Sequence, residues 1–474
     1  MNNPSSIVKR LSSWLAGVSL LLSFHAVALS QQEYESEVPS REREALKKTK
    51  QSAAAARQLS DEEEVTYEQV LADPDNVDLN TRYAQSQIRR GNLRGAAATL
   101  ERMLLIDPTR VQVRLLYGVV LFRLDNLSES ESAFLAAREA KLPPSLRDEV
   151  DEYLRRIKLR RKRTRFSGSF TVGYEYDTNR NAAARSGQRW IADVPAENTG
   201  NNARREDTSV IGIQSIHMTR DLGMQAGHQL FAGFDHFIQE QTAVDNLDLQ
   251  SVSGEAGAIL RMGAATFTPS FIADHIRLSR ETFLRTQGAN LLLERPLAPD
   301  LHFFMGWRWV SEDYSGITEN ASAPERSGNQ ENWTAGFHYL FNPKLRTTLT
   351  AFYNNKDAKA PYFDYHGPGA QTSWTWLLGK GQFLTASYSY GVNGYEDADL
   401  AVSVRTRRDE QHRTRLTYGA PVTLLPGSRQ LPQWLTKNLT FSLTFEQFVS
   451  DSNIINYDYS NSKVNGMLTK SFEF

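Results

Sequence analysis

Apolar and polar positions along the chain change period near residue 166. From there onward, greasy and polar residues alternate with the period of two that a half-buried strand requires. Leu439, Phe441, Leu443 and Phe445 alternate with Thr440, Ser442, Thr444 and Glu446. Trp333, Ala335, Phe337, Tyr339 and Phe341 repeat the pattern against Thr334, Gly336 and His338. The alternation predicts about fourteen strands, near 166–177, 207–220, 227–238, 247–260, 264–278, 283–295, 300–312, 330–341, 343–354, 369–379, 381–393, 404–419, 437–450 and 460–474. The gaps differ in kind. Asp221-Leu222-Gly223, Arg261-Met262-Gly263, Pro296-Leu297-Ala298-Pro299, Asn342-Pro343 and Gly379-Lys380-Gly381 read as tight turns. The gaps holding Asn198, Asn320, Pro361 and Asp397 are longer and polar, and Ala420 to Thr436 is a long connection on the tight-turn side. Even strand number, alternating gap lengths and abundant aromatic residues predict an antiparallel transmembrane β-barrel over 166–474, with short turns in the periplasm and long loops outside. The chain ends on Ser471-Phe472-Glu473-Phe474.

Before residue 166 the pattern is different. Lys9 and Arg10, the apolar run Leu11 to Phe24 and the small-x-small stretch Ala26-Val27-Ala28 predict a cleaved signal peptide over 1–30, with Ser30 as an alternative endpoint. Residues 31–60 are polar and charged with no periodic apolar face, which predicts a disordered leader. An internal repeat follows. Asp73-Pro74 recurs 34 residues later as Asp107-Pro108. At the same offset Ala84 matches Gly118, Gly91-Asn92-Leu93 matches Asp125-Asn126-Leu127, Ala96 matches Ser130, Leu100 matches Phe134 and Met103 matches Ala137. That is the tetratricopeptide period, with small residues where paired helices touch. Ser145 to about Arg163 reads as one further helix, and Glu62 to Leu71 as a capping half-repeat, so 61–165 is expected to be a periplasmic helical domain. Its concave face is the usual place for a peptide or protein partner. The inner-helix positions there are Thr81, Gln85, Ile88, Leu115, Val119 and Phe122. Some of these are expected to serve packing alone. The basic run from Arg155 to Arg165 has three readings: a solvated helix face; a contact with headgroups of the periplasmic leaflet, where each cation is worth about 1 kcal/mol; and, a distant third, nucleic acid, for which no aromatic interleaving or groove-reading motif accompanies the charge.

Composition narrows the function. Net charge is −1, so no global field favours nucleic acid. Zero cysteines exclude a disulfide framework, a thiolate metal site and a cysteine nucleophile. The nine histidines are scattered. Asp235-His236 and Asp274-His275 are adjacent pairs, which a strand points to opposite faces. No catalytic, cofactor or metal motif stands out, and the expectation is a protein that is not an enzyme and needs no cofactor.

The order of signal, short repeat region and barrel resembles the Slam family, the surface lipoprotein assembly modulators of Gram-negative outer membranes. Asp177-Thr178-Asn179-Arg180-Asn181, leaving the first strand, looks like that family's Asp-Ser-Asn-x-Asn segment, with Thr178 in place of serine. The resemblance implies a translocator that delivers surface lipoproteins, or related secreted proteins, through the outer membrane. It implies insertion by the barrel assembly machinery, with Phe472 and Phe474 as the terminal-strand signal, and a setting among outer-membrane lipids, and it carries over no catalytic residue. The alternative architecture is a tetratricopeptide-linked exopolysaccharide export porin, which favours a longer repeat array.

Overall fold

The computed structural model describes residues 65–473 apart from Lys141, Gln225 and Glu319. The expected signal peptide, the leader, the first residues of the capping half-repeat and Phe474 lie outside the described residues. The chain divides into two compact units between Arg163 and Thr164.

The first unit is helical: α1 (Tyr67–Ala72), α2 (Val77–Arg89), α3 (Leu93–Ile106), α4 (Val111–Arg123), α5 (Leu127–Arg138) and α6 (Pro144–Arg161). Local chemistry sets the helix starts. Thr66 and Gln69 form a capping box around the first turn of α1. The side chains of Asn76 and Asn92 accept from Leu79 N and Gly95 N at the starts of α2 and α3. The repeat is legible in backbone angles: Gly91 and Asp125, 34 residues apart, follow α2 and α4 with φ of 79° and 60°. Small residues then bring the paired helices together. A Cβ on Gly118 would lie 3.1 Å from the Phe134 ring, and the Ser130 hydroxyl donates to the Gly118 carbonyl at 2.8 Å. One core gathers Ala84, Ala96, Leu100, Met103, Val113 and Val120; a second gathers Phe122, Phe134, Val150 and Ile157. Tyr153 stacks on Phe134 at 4.8 Å, so α6 closes the second repeat as a further solenoid helix. Part of the basic run is engaged inside this unit: Arg156 lies over the Phe122 and Tyr153 rings, and Arg161 pairs with Glu131.

The second unit is a closed barrel: β1 (Thr164–Asp177), β4 (Asp207–Asp221), β5 (Gln229–Gln241), β6 (Leu249–Met262), β7 (Ala265–Leu278), β8 (Glu281–Ala298), β9 (Leu301–Tyr314), β10 (Gly328–Asn342), β11 (Leu345–Ala358), β12 (Tyr365–Gly379), β13 (Gln382–Tyr395), β14 (Arg408–Pro421), β15 (Leu439–Ser452) and β16 (Tyr459–Glu473). The hairpin β2 (Gln188–Ile191) and β3 (Val194–Glu197) stands apart as a two-stranded sheet. All fourteen expected strands are present and every neighbouring pair is antiparallel. Closure comes from β1 against β16, in register from Ser167↔Glu473 to Asp177↔Lys463. On the outer face of that seam the Phe472 ring lies over Gly168, where a Cβ would come within 2.5 Å of it. A 14-residue strand at about 3.3 Å per residue, tilted by about 40°, spans roughly 35 Å, more than the apolar band of about 25 Å. The strands are thus longer than that band by about 10 Å.

Two differences from the sequence reading have local causes. β12 starts at Tyr365, four residues earlier than expected, because the β12–β11 ladder runs through Gly367 and Pro368. The ladder to β13 skips those two residues, where proline has no N–H to give. The rim bearing long loops also carries one tight turn, Ser279-Arg280, with φ of 51° and 66° as a two-residue hairpin requires. The connection after β14 holds the short helix α7 (Gln433–Thr436), whose end is capped by Lys470 Nζ donating to the Trp434 and Leu435 carbonyls at 2.8 and 3.1 Å. No described helix is long and apolar enough to cross a membrane, which says nothing of strands.

Replacing Gly118 with valine is expected to force Phe134 aside and to destabilise the helical unit by about 1–3 kcal/mol, the usual cost of overpacking. Hydrogen exchange across 111–138 should rise while the barrel strands keep their protection. Unchanged exchange there would refute the close approach of α4 and α5.

Candidate functional site: the lumen and its capped mouth

Closing the sheet fixes which side chains face inward. In β1, Phe170, Val172, Tyr174 and Tyr176 stand outside, 39–54% exposed, while Thr171, Glu175 and Asp177 are buried. The same parity around the barrel gives an apolar exterior and a polar interior. Interior charges are arranged in pairs. Glu446 takes Arg413 Nη1 at 2.7 Å and Arg415 Nε at 2.9 Å. Lys356 Nζ lies 2.7 Å from Glu312, and Arg308 lies 3.8 Å from Asp274, which also accepts from Thr286 Oγ1 at 2.6 Å. Arg180 and Lys463 share Glu175 and Asp177 at 3.4–3.7 Å. Gln239 bridges this group, accepting from Arg180 Nη2 at 3.2 Å and donating to Glu175 at 3.0 Å. Buried charges are tolerable only when paired and hydrogen-bonded, and this lumen meets that condition along several strands.

The long-loop rim is capped. Loops 1 to 7 comprise 178–206, 242–248, 279–280, 315–327, 359–364, 396–407 and 453–458, and each is joined to the next. Arg205 Nη2 donates to the Ala243 carbonyl at 3.3 Å, Ser279 N to Asp248 O at 2.8 Å, and Thr318 Oγ1 to Glu281, just past loop 3, at 2.7 Å. Lys359 N donates to Ser327 O at 2.8 Å and Glu396 N to Asp364 O at 3.1 Å. Asn453 Nδ2 reaches Thr406 O at 2.8 Å, and Asn456 Nδ2 reaches Trp190 O at 3.0 Å, which returns the circuit to loop 1. Beneath the ring lie two apolar clusters. One joins Val244, Leu247, Ile276, Leu278, Phe283, Leu284, Tyr314, Ile317 and Ala323; the other joins Val402, Ile454 and Tyr457 with Trp190.

The β2–β3 hairpin fastens the cap. At its turn, Ala192 and Asp193 have φ of 49° and 63°, and their N–H groups donate to Ala401 O and Val402 O at 3.1 and 3.0 Å. The Asp193 carboxylate accepts from Ser403 Oγ at 2.5 Å and Val404 N at 2.9 Å. Those two donors hold its carboxyl below the ordinary 3.8.

The segment singled out in the sequence lies at the root of this loop. Asp177 Oδ1 accepts from Asn179 N at 2.9 Å. Asn179 is buried; its amide donates to Ala183 O and Ser460 O at 2.9 and 3.0 Å, and its oxygen accepts from Ala183 N at 2.9 Å. The Thr178 hydroxyl accepts from Ser462 N at 3.0 Å, and Asn181 donates to Ala203 O at 2.7 Å while accepting from Arg205 N at 3.0 Å. These residues therefore knot loop 1 to itself and to β16 across the closure seam. Sequence reasoning missed Arg180, which sits inside the same segment, and the Asp193 fastening; a loop carries no periodic signal that marks a buried charge.

In the helical unit the six groove positions are differently placed. Phe122 is buried, Leu115 and Val119 pack on its cluster, and Ile88 packs on the other core. Thr81 Oγ1 donates to Val77 O at 2.7 Å, and Gln85 is exposed. Among the lumen histidines, His217 Nε2 lies 3.9 Å from Asp235 Oδ1, and neither atom has a hydrogen-bond partner among the described residues.

No family model matches the chain. No curated protein matches it either. Among solved structures it is similar to the Yersinia enterocolitica type III secretion translocator chaperone SycD, at 20% identity and a TM-score of 0.19, over 19% of this chain. That match spans 66% of the chaperone, just under two thirds of its length. It is also similar to a mutant of the TodX monoaromatic hydrocarbon channel, at 10% identity and a TM-score of 0.37, covering 66% of this chain and 91% of that one. A Pseudomonas aeruginosa FadL homologue gives 6% identity and 0.37, covering 66% and 90%. At such scores these likenesses add nothing to what the strands and helices themselves show.

Because the Asp193 carboxyl is held below its ordinary value, its hold on loop 6 is complete above about pH 4 and is lost as the pH falls further. Spin labels at Glu197 and Leu400 should give a narrow distance distribution above that pH and a broad one below it. Asp193→Asn should be broad throughout; a distribution indifferent to both changes would refute the fastening. Asn179→Ala strands the Ala183 N–H and the Ser460 carbonyl at a cost of about 1–3 kcal/mol, so trypsin should cut loop 1 at Arg185 and Arg189 about tenfold faster or more. Cleavage at the parental rate would show that the knot holds without it.

Proposed function

We propose that the protein is a translocator of the Gram-negative outer membrane that delivers a client, a surface lipoprotein or a related secreted protein, to the cell surface. The observation that carries this reading is the union in one chain of a tetratricopeptide-type unit with a polar-lumened, fourteen-stranded barrel capped at its loop rim. A plain diffusion porin gives the repeats no task. Peptide capture by a solenoid and passage through a barrel are successive steps of one task.

Sidedness follows from connectivity in this reading. The helical unit leads into β1 at the rim of short turns, so it belongs to the periplasm, and the capped rim faces outside. A client engages the repeats, with Gln85 as the exposed one of the six groove positions, and enters the polar lumen. It leaves when the loop ring opens. Folding outside supplies direction without nucleotide, and no residue is assigned a catalytic role or a cofactor. The barrel assembly machinery reads the terminal strand, whose Phe472 lies on the closure seam. The cations of 155–165 not engaged within the helical unit meet lipid headgroups. The Slam resemblance supports the same function.

The test is surface proteolysis of candidate clients encoded beside this gene, in cells with intact outer membranes. A client should become protease-accessible only when the full chain is present. Deleting 61–165 should abolish that exposure while the barrel still inserts. Exposure independent of the chain would sink the proposal. Surface polysaccharide in place of a protein would put the export-porin reading in its stead.

A further inference from the structure

We propose that Arg326 and the aromatic side chains around it form a binding site for one carboxylate group, inside the capped end of the barrel. Arg326 closes a short turn in loop 4 and is only 6% exposed. Its guanidinium lies 4.7 Å from the centre of the Phe363 ring, and its Nε has no hydrogen-bond partner among the described residues. Inward-facing Tyr314 and Tyr395, with Tyr457 of loop 7, stand close enough to feel its charge. Tyr365 packs against Tyr395 at 5.4 Å and extends the aromatic wall.

The neighbouring cations are already answered. Lys356 Nζ has Glu312 at 2.7 Å. Arg407 Nε has both oxygens of Asp409 at 2.9 and 3.0 Å, while its guanidinium covers the Tyr395 and Tyr457 rings. Of these three cations, Arg326 is the one with no carboxylate in ion-pair contact among the described residues. Its sequence neighbour Glu325 does not fill the role, being exposed and taking the Tyr362 hydroxyl instead. An uncompensated buried charge is strongly unfavourable, and arginine does not escape by losing its proton. If the turn needed only to pack here, methionine or leucine would do so without that cost. A planar fork of N–H donors among ring faces matches a planar anion with two oxygens, the geometry in which arginine binds carboxylates most strongly. This local geometry stands whatever the barrel carries.

The experiment is isothermal titration of the full chain in detergent micelles with sodium acetate, ionic strength being held with sodium chloride. Folding of each variant is read from its unheated electrophoretic mobility. Saturable acetate binding is expected, weakened about tenfold or more in Arg326→Gln, the range for losing hydrogen bonds to a charged group. Glu325→Gln, which alters an exposed neighbour, should bind like the parent. Arg326→Lys keeps the charge and loses the fork, so it tests the same point even if the glutamine variant does not fold; it should bind more weakly than the parent. No saturable heat with the parent chain, or affinity unchanged in Arg326→Gln or Arg326→Lys, would overturn the site.

Discussion

Everything in the barrel depends on leaving no backbone N–H or C=O unpaired in hydrocarbon, where each such group costs several kcal/mol. A sheet meets that demand only by closing on itself. Here the closing edge is β1 against β16, eleven residue pairs from Ser167↔Glu473 to Asp177↔Lys463. Side chains reinforce it: Thr171 and Thr469 hydroxyls meet at 2.9 Å inside, and Phe472 covers Gly168 outside. Once that register is set, parity is set for the whole circle, because a slip of one residue would turn every lumen charge toward lipid.

Parity then makes electrostatics the organising problem of the interior. Glu446 between two arginines, Glu312 with Lys356, and Glu175 with Asp177 facing Arg180 and Lys463 are local solutions distributed around the wall. Paired charges hold water and polar chain poorly or well according to how firmly they hold each other. A lumen lined this way stays polar while its charges answer one another locally.

The strands were readable because period-two alternation is imposed by burial on one side and lipid on the other; even the weak segment at Gly367-Pro368-Gly369 differs only in where the strand begins. The repeats were readable for a related reason. Ala84 and Gly118 keep equivalent places because paired helices cannot approach otherwise, and Gly91 and Asp125 because the chain leaves each helix through a positive φ. The Asp177 to Asn181 segment was visible as a string of residues, but its work, tying loop 1 to β16, depends on partners some 280 residues away. The β2–β3 hairpin, Asp193 and Arg326 gave no signal, since loop side chains answer to neighbours that only the closed barrel brings near. The groove positions came from the general form of such repeats, which does not tell that α6 packs on Phe122.

The cap has a consequence for how the molecule is made. Loop 1 follows the first strand, yet it is secured to loop 6, which precedes β14, and to loop 7, which precedes β16. The cap therefore cannot be completed early. Until β14, β15 and β16 are in place, Trp190 and Asp193 have nothing to hold, and the growing cylinder is open at that end. A completed ring of loops is thus a record that the last strands are in place, and a truncated or stalled chain would advertise itself by leaving loop 1 unfastened.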